Sequence, residues 1–207
     1  MGNTVGSQGN LTKRQKEMLI GMILGDCCLE KNGRNVRLRV EHGLNQKDYL
    51  YWKYKELKNL VTNKPRLVKG IIHYKSKKIY QRLHLSTFSL PELNTYWIKF
   101  YFQKRKRVPS NILELLKSPL SLAVWYMDDG YKRNDCNALR INTDSFKIAE
   151  QRLLQRCLRE NFGINTKLHK KGKFWNIYIP NSQTKNFCNM IKPYIIPKMK
   201  YKISLTP

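Results

Sequence analysis

The sequence predicts an α+β protein built from two copies of one plan. Three observations carry this reading. The first is a pair of apolar, helical words that each run into an acid: Leu19-Ile-Gly-Met-Ile-Leu-Gly-Asp26-Cys27 and Leu122-Ala-Val-Trp-Tyr-Met-Asp-Asp129-Gly130. The second is an almost constant offset. Asp26 and Asp129 are 103 positions apart, Leu38-Arg-Val resembles Leu139-Arg-Ile at an offset of 101, and Leu67 matches Leu168 at the same offset, as in a diverged internal duplication. The third is a switch between 3.6-residue and two-residue hydrophobic periods that occurs in the same order in both halves.

The elements follow in order. Residues 1–10 read as a flexible leader. Thr12 to about Cys28 forms a helix with Thr12 as N-cap. Val36, Leu38 and Val40 alternate with Arg37, Arg39 and Glu41, the pattern of a half-buried strand. Lys47 to Val61 is an amphipathic helix with Leu50, Tyr54, Leu57 and Val61 on one face. Residues 66–74 and 78–87 form a hairpin around Lys75–Lys77, in which Arg82, His84 and Ser86 point away from Leu83, Leu85 and Thr87. Pro91 to Phe102 is a helix. Residues 104–118, charged and broken at Pro109, form a linker between an N-terminal half, 11–103, and a C-terminal half, 119–207. The second half repeats the first: helix 119–130, strand 138–144, helix 146–161, hairpin 166–179 turning at Lys171-Gly-Lys173, and helix 183–192. Each half is thus helix, strand, helix, hairpin, helix.

Composition narrows the partner. The 207 residues carry 40 Lys and Arg against 14 Asp and Glu, a net charge of +26, while hydrophobic residues make up 41%. The chain therefore has a core and is not a disordered polycation. So large a charge calls for a polyanion, and its spread along the whole sequence, interleaved with Tyr, Trp, Asn and Gln, suits nucleic acid better than a membrane patch. No apolar run approaches the roughly 20 residues of a bilayer span. Cys27, Cys28, Cys136, Cys157 and Cys188 have no metal-finger spacing, and their odd number argues for free thiols in a reducing compartment. Alternation gives each sheet an apolar face for helices and a polar face for nucleic acid. The candidate DNA-contacting residues on these faces are Arg37, Arg39, Lys69, Arg82 and His84 in the first half, and Arg140, Asn142, Lys167, His169, Lys171 and Lys173 in the second. A two-stranded ribbon bearing such side chains fits the major groove. His42, His73, His84 and His169 are all expected on strand faces that touch DNA or solvent.

Gly21 and Gly25, four residues apart, share a helical face. Each costs about 1 kcal/mol of helix propensity, a cost that close packing of a second helix would offset. Two helices paired through this face would bring Asp26 and Asp129 together at one end. Adjacent carboxylates repel, and a divalent cation relieves the repulsion; Mg²⁺ favours such oxygen ligands together with substrate phosphate.

The two words resemble the paired motifs of LAGLIDADG homing endonucleases in their single-chain, two-motif form. Leu122-Ala-x-Trp-x-Met-Asp-Asp-Gly130 and the tail Ile191-Lys-Pro-Tyr-x-Ile-Pro-Lys-Met-x-Tyr-Lys202 are most similar to the yeast mitochondrial omega-intron group. The likeness covers nearly all of the chain past residue 11. It implies two pseudo-symmetric αββαββα-type halves packed through the motif helices, saddle-shaped antiparallel sheets facing double-stranded DNA, and a monomer with an internal pseudo-two-fold axis. It implies that Asp26 and Asp129 bind two or more divalent ions, Mg²⁺ with Mn²⁺ as substitute, and that the carbonyls of Gly25 and Asp128 complete the coordination. It places a catalytic cation near each scissile phosphate, Lys106 and Lys202. The implied activity is hydrolysis of both strands at a long asymmetric site, leaving 3′ overhangs; the alternative on the same scaffold is an intron-RNA-binding maturase. The implied setting is intracellular, in an organelle or a bacterial cytoplasm. Three departures stand out: Cys27 replaces the first motif's last glycine, Val124 and Asp128 stand where small residues are common, and Asp128 adjoins Asp129.

Overall fold

The computed structural model describes residues 10–72, 74 and 79–205; the side chains of 69, 71, 72 and 171 lie outside the described set. So do His73, the turn expected at Lys75–Lys77 and all but the last residue of the expected leader. The chain forms two compact units. One comprises the described residues up to Gln15 with Cys27–Trp97, and the other Lys16–Asp26 with the described residues from Ile98 onward. The packing units therefore differ from the sequence halves, because most of the first motif helix sorts with the second unit.

In the first unit, strands β1 (Cys28–Asn32), β2 (Asn35–Gly43), β3 (Arg66–Ile72) and β4 (Ile79–Leu90) form an antiparallel sheet in the order β1-β2-β4-β3. Alternation on β2 buries Val36, Leu38, Val40 and His42 and leaves Arg37, Arg39 and Glu41 half-buried on the other face. Helix α2 (Lys47–Glu56) covers the apolar face with Tyr49, Leu50 and Lys53. It stops five residues before the expected Val61, and Lys58–Leu60 turns as a 3-10 helix, which still buries Leu57 and Leu60. Helix α1 (Lys13–Leu24) begins in this unit. Thr12 Oγ1 accepts from the Gln15 amide at 3.2 Å while Gln15 Oε1 accepts from the Thr12 amide at 3.0 Å, a reciprocal cap. Helix α3 (Pro91–Phe100), most of which lies in this unit, ends two residues earlier than expected.

In the second unit, β5 (Tyr101–Phe102) and β6 (Arg105–Lys106) make a tight hairpin whose turn residues Gln103 (φ 47°) and Lys104 (φ 63°) are left-handed. The expected linker thus carries β6, and also helix α4 (Ile112–Leu115), which Asn161 Nδ2 pins by donating to the carbonyls of Leu113 and Leu116 at 2.8 Å. Helix α5 (Pro119–Asp129) starts at Ser118, whose hydroxyl accepts from the Leu120 amide at 3.2 Å, with Pro119 in the first turn. Strands β7 (Gly130–Lys132), β8 (Leu139–Ile141), β9 (Lys167–Lys171) and β10 (Phe174–Ile179) form an antiparallel sheet ordered β7-β8-β10-β9, the same topology as the first. Helices α6 (Ile148–Phe162) and α7 (Asn181–Ile191) complete the unit. Each half therefore reads αββαββα, with one strand more per half than the periodicity alone predicted.

Among the described residues, no helix is long and apolar enough to cross a membrane. All five cysteines remain thiols.

Candidate active site

The site is assembled within the second unit from the packing of α1 on α5. From Leu122 to Met127 the residues of α5 are 0% exposed, so α5 is the unit's central helix. Against it α1 presents its glycines. A Cβ on Gly21 would overlap the Ser121 carbonyl oxygen, and one on Gly25 would lie 2.5 Å from Asp128 Cβ. Neither position can carry a side chain without separating the helices. At the other end of the contact, Ser121 Oγ donates to the Glu17 carbonyl at 2.6 Å and Ser118 Oγ to the Glu17 carboxylate at 2.8 Å. The small face of α1 is thus matched by the larger Val124 and Asp128 of α5, which accounts for the asymmetry of the two motifs.

This packing gathers the acids. The Asp26 amide donates to Asp128 Oδ2 at 3.2 Å, and carboxylate oxygens of Asp26 and Asp128 lie within 4.8 Å of each other. Asp26 is exposed, Asp128 is buried and Asp129 is half-buried. Burial, and after it the charges of Asp26 and Asp128, push the Asp129 carboxyl up to about 8, against the opposing pull of Lys106 and Lys202. Three carboxyl groups sharing one electrostatic environment mark a place where a hard cation would be held. The carboxyl groups supply oxygen donors, which suit Mg²⁺ or Mn²⁺.

Both candidate lysines reach the ends of the motif helices. Lys106 Nζ donates to the Gly25 carbonyl at 2.7 Å from the edge of the β5–β6 hairpin. Lys202 Nζ donates to the Met127 carbonyl at 2.6 Å, is only 7% exposed, and is anchored through its own carbonyl, which accepts from Tyr126 Oη at 2.9 Å. Carbonyl oxygens with no partner in the final helical turn are natural acceptors for such cations. Of the two carbonyls expected as metal ligands, that of Gly25 therefore already holds Lys106. Gly130, directly after Asp129, has no room for a Cβ against the Tyr126 ring and carbonyl. At the matching place Cys27 is buried.

The candidate DNA contacts divide between the two sheets. In the first unit, Arg37 pairs with Glu30 at 2.8 Å, and Glu41 holds Arg39 at 2.8 Å and Arg82 at 2.8 Å, with His84 Nδ1 at 3.4 Å. Burial alone would raise the Glu41 carboxyl, but hydrogen bonds from Arg39 and His84 and the Arg82 charge hold it below its ordinary value. His84 is lowered, first by burial. The acids Glu30 and Glu41 were not among the expected site residues, although Glu41 stands in the same alternating register as Arg37 and Arg39. His42 departs from expectation: β2 pairs it with Leu83 on the apolar face, where it is 3% exposed with Nε2 3.0 Å from the buried Lys53 Nζ.

In the second unit Arg140 and Lys167 both face Tyr178 across the ladder, and the His169 ring stacks on Tyr178 at 3.9 Å. Lys173 is exposed at the turn. Asn142 is tied to the second motif through its backbone: its backbone N–H donates to the Asp129 backbone carbonyl at 3.0 Å, while its buried side-chain Oδ1 has no hydrogen-bond partner. Lys69 and Lys171 place their backbones in β3 and β9.

Known proteins share this architecture. The chain is 32% identical over 200 residues to a cytochrome b mRNA maturase bI2 from Debaryomyces hansenii, covering 93% of this chain and 74% of the relative. It is 31% identical to DNA endonuclease I-ChuI of Chlamydomonas applanata, covering 94% and 96%. The structure of the homing endonuclease I-WcaI bound to its DNA recognition sequence superposes with a TM-score of 0.88 at 27% identity, covering 100% of this chain and 97% of that one. The sequence profile described as the LAGLIDADG DNA endonuclease family matches residues 16–187. With the motif helices packed through glycine and their acids gathered at one end, the chain belongs to the LAGLIDADG DNA endonuclease family.

Proposed function

We propose that this chain is a site-specific endonuclease that hydrolyses both strands of double-stranded DNA at a long, asymmetric target and leaves 3′ overhangs. The observation that carries the proposal is the carboxyl cluster at the end of the α1–α5 contact, with the Asp129 carboxyl raised to about 8 by burial and its acidic neighbours, in a chain of net charge +26. Asp26 and Asp129 are the residues that would hold divalent cations, Mg²⁺ or Mn²⁺, with the carbonyls of Gly25 and Asp128 as further oxygen donors. Bound there, such a cation activates water and stabilises negative charge on a phosphate. Asp128, whose carboxylate accepts from the Asp26 amide, fixes the backbone from which the Asp26 side chain extends. Lys106 and Lys202 are cations set beside these acids; each would orient water or stabilise the charge that develops at one scissile phosphate. The resemblance of this chain to the DNA-bound homing endonuclease I-WcaI supports DNA as substrate.

Arg37, Arg39, Lys69, Arg82 and His84 would contact one half-site and Arg140, Lys167, His169, Lys171 and Lys173 the other, with Asn142 nearer the cleavage centre. Because the halves have diverged, the target is not a palindrome. Selection of cleaved sequences from a randomised duplex pool with Mg²⁺ tests activity and defines the site together. Absence of any cut sequence defeats the proposal. Affinity for the selected site should fall with salt at a log–log slope of about −0.9 per phosphate contact. A second reading, an intron-RNA maturase, is supported by the relative named cytochrome b mRNA maturase bI2. Splicing of a cognate intron by the Asp129→Asn protein separates that activity from cleavage. The relative named a cytochrome b mRNA maturase fits an organelle as the setting, with a bacterial cytoplasm as the alternative.

A further inference from the structure

We propose that Glu41 is a positioning residue that sets base specificity in one half-site, by fixing Arg39, Arg82 and His84 in a single constellation on the polar face of the first sheet. The inference rests on the reading of that face as a DNA-contacting surface. It starts from an anomaly of charge. A surface that only has to grip phosphate gains from every cation and loses from every acid. Yet β1 and β2 place Glu30 and Glu41 among the cations of the first sheet, whereas β7, β8, β9 and β10 contain no Asp or Glu.

The geometry suggests what the acid gives in return. Glu41 lies opposite His84 in the ladder, Arg39 opposite Ser86 and Gly43 opposite Arg82, so the side chains concerned share one face of neighbouring strands. Both carboxylate oxygens are engaged: Oε1 with Arg39 Nη2 at 2.8 Å and His84 Nδ1 at 3.4 Å, and Oε2 with Arg82 Nη1 at 2.8 Å. Glu41 is thus saturated from within the protein and is not itself placed to read a base. Its partners are placed to do so. The Arg39 and Arg82 side chains remain 42% and 35% exposed, and each keeps guanidinium donors beyond the one that Glu41 binds.

An unanchored arginine finds phosphate oxygen on any sequence. An anchored one presents donors at a fixed place, where the acceptor pair of guanine fits and other edges do not. Less side-chain freedom is then lost on binding the right site. His84 adds the complementary group. Burial lowers its pKa, so the ring is neutral near pH 7, and donation from Nδ1 to Glu41 leaves Nε2 as an acceptor. His84 lines a polar cavity of about 460 Å³ together with Lys64, Arg66 and Ser86. An acceptor among so many donors suits the amino group of adenine or cytosine.

The test compares cleavage-selection profiles of the wild type and of Glu41→Gln, which keeps the size of the side chain and removes its charge. Discrimination should fall about tenfold at two or three adjacent base pairs of one half-site, while the profile of the other half-site, an internal control on folding and catalysis, stays as in the wild type. Binding to random-sequence duplex should rise. In an Arg39→Ala background, Glu41→Gln should add little at the position that Arg39 reads. An unchanged profile overturns the inference, as does a loss spread evenly over both half-sites. A clean switch of preference at a single base pair also overturns it, because the carboxylate would then be reading the base directly. A wild-type chain that selects no site defeats the endonuclease reading itself, a result distinct from all of these.

Discussion

The two motif ends occupy matching places in the repeat and are physically unequal. At the first, Asp26 is exposed, its amide is bound by Asp128, and the basic neighbour Lys106 is half-buried on a hairpin held by two left-handed non-glycine residues. At the second, Asp129 is half-buried with a raised pKa, and Lys202 is 7% exposed and tied down at both its side chain and its carbonyl. The repeated plan supplies two acids and two cations; packing then makes one set rigid and dry and leaves the other wetter. The lesson is that sequence symmetry fixes which groups are present, while the asymmetric contact of α1 with α5 fixes how each behaves.

The strongest way to break the comparison is to neutralise each acid separately. Asp26→Asn and Asp129→Asn should each lower double-strand cleavage by ~10³-fold or more while DNA binding persists, as followed by plasmid linearisation beside a binding titration. If one of them cuts at the wild-type rate, that acid is not part of the site. The lysines come next. Lys106→Met and Lys202→Met should each slow cleavage by about 10²-fold. If each serves one strand, nicked circles should accumulate, with opposite strands left intact in the two variants. Lys202→Met should also lower Tm, because its Nζ is buried on the Met127 carbonyl, whereas Lys106→Met should leave Tm nearly unchanged. Equal effects on Tm would erase the claimed difference in rigidity.

A structural version of the contrast lies in the helix contact. Ala is the better helix former, so Gly21→Ala and Gly25→Ala should stabilise α1 if the helix stood alone. Here the new Cβ meets the Ser121 carbonyl or Asp128 Cβ, and each variant should cost about 1–3 kcal/mol, measured by denaturant titration. A stabilised Gly25→Ala protein would mean that the two helices are not held as closely as described.

Much of this architecture was legible in the residues. The apolar words, their common offset and the glycines of α1 announce a close helix pair with acids at its end, and strict alternation announces β2 and the core-facing side of β4. Two strands of the four-stranded sheets were not legible. β1 follows Asp26 almost at once and β7 follows Asp129 directly; Cys28–Asn32 and Gly130–Lys132 are too short and too polar to show a period. The β5–β6 hairpin was hidden because Gln103 and Lys104 adopt φ > 0 without the Gly or Asn that signals such a turn. That hairpin presents Lys106, which composition alone leaves as one of 40 cations and which the family resemblance singled out. His42 was misplaced because a histidine in an alternating strand reads as polar, whereas the register puts it on the helix side against Lys53.

The subtlest test of the inequality uses pH and stability instead of activity. In the cation-free protein the folded Asp129 carboxyl is raised to about 8, while an unfolded Asp titrates near ~3.9. Between these values the folded state retains a proton that the unfolded state has released, so stability falls as pH rises. The loss should be on the order of 1–2 kcal/mol between pH 6 and 8, a few degrees in Tm. Mg²⁺ bound by the carboxylates should reverse it, with a stabilisation that grows over the same interval. In Asp129→Asn this pH dependence should disappear and the cation-free protein should be more stable at pH 8. In Asp26→Asn the dependence should weaken without vanishing, since burial ranks ahead of the Asp26 charge among the causes of the shift. Melting curves of the three proteins at pH 6, 7 and 8, with and without Mg²⁺, read all of this; identical slopes for the two variants would show the two acids to be equivalent after all.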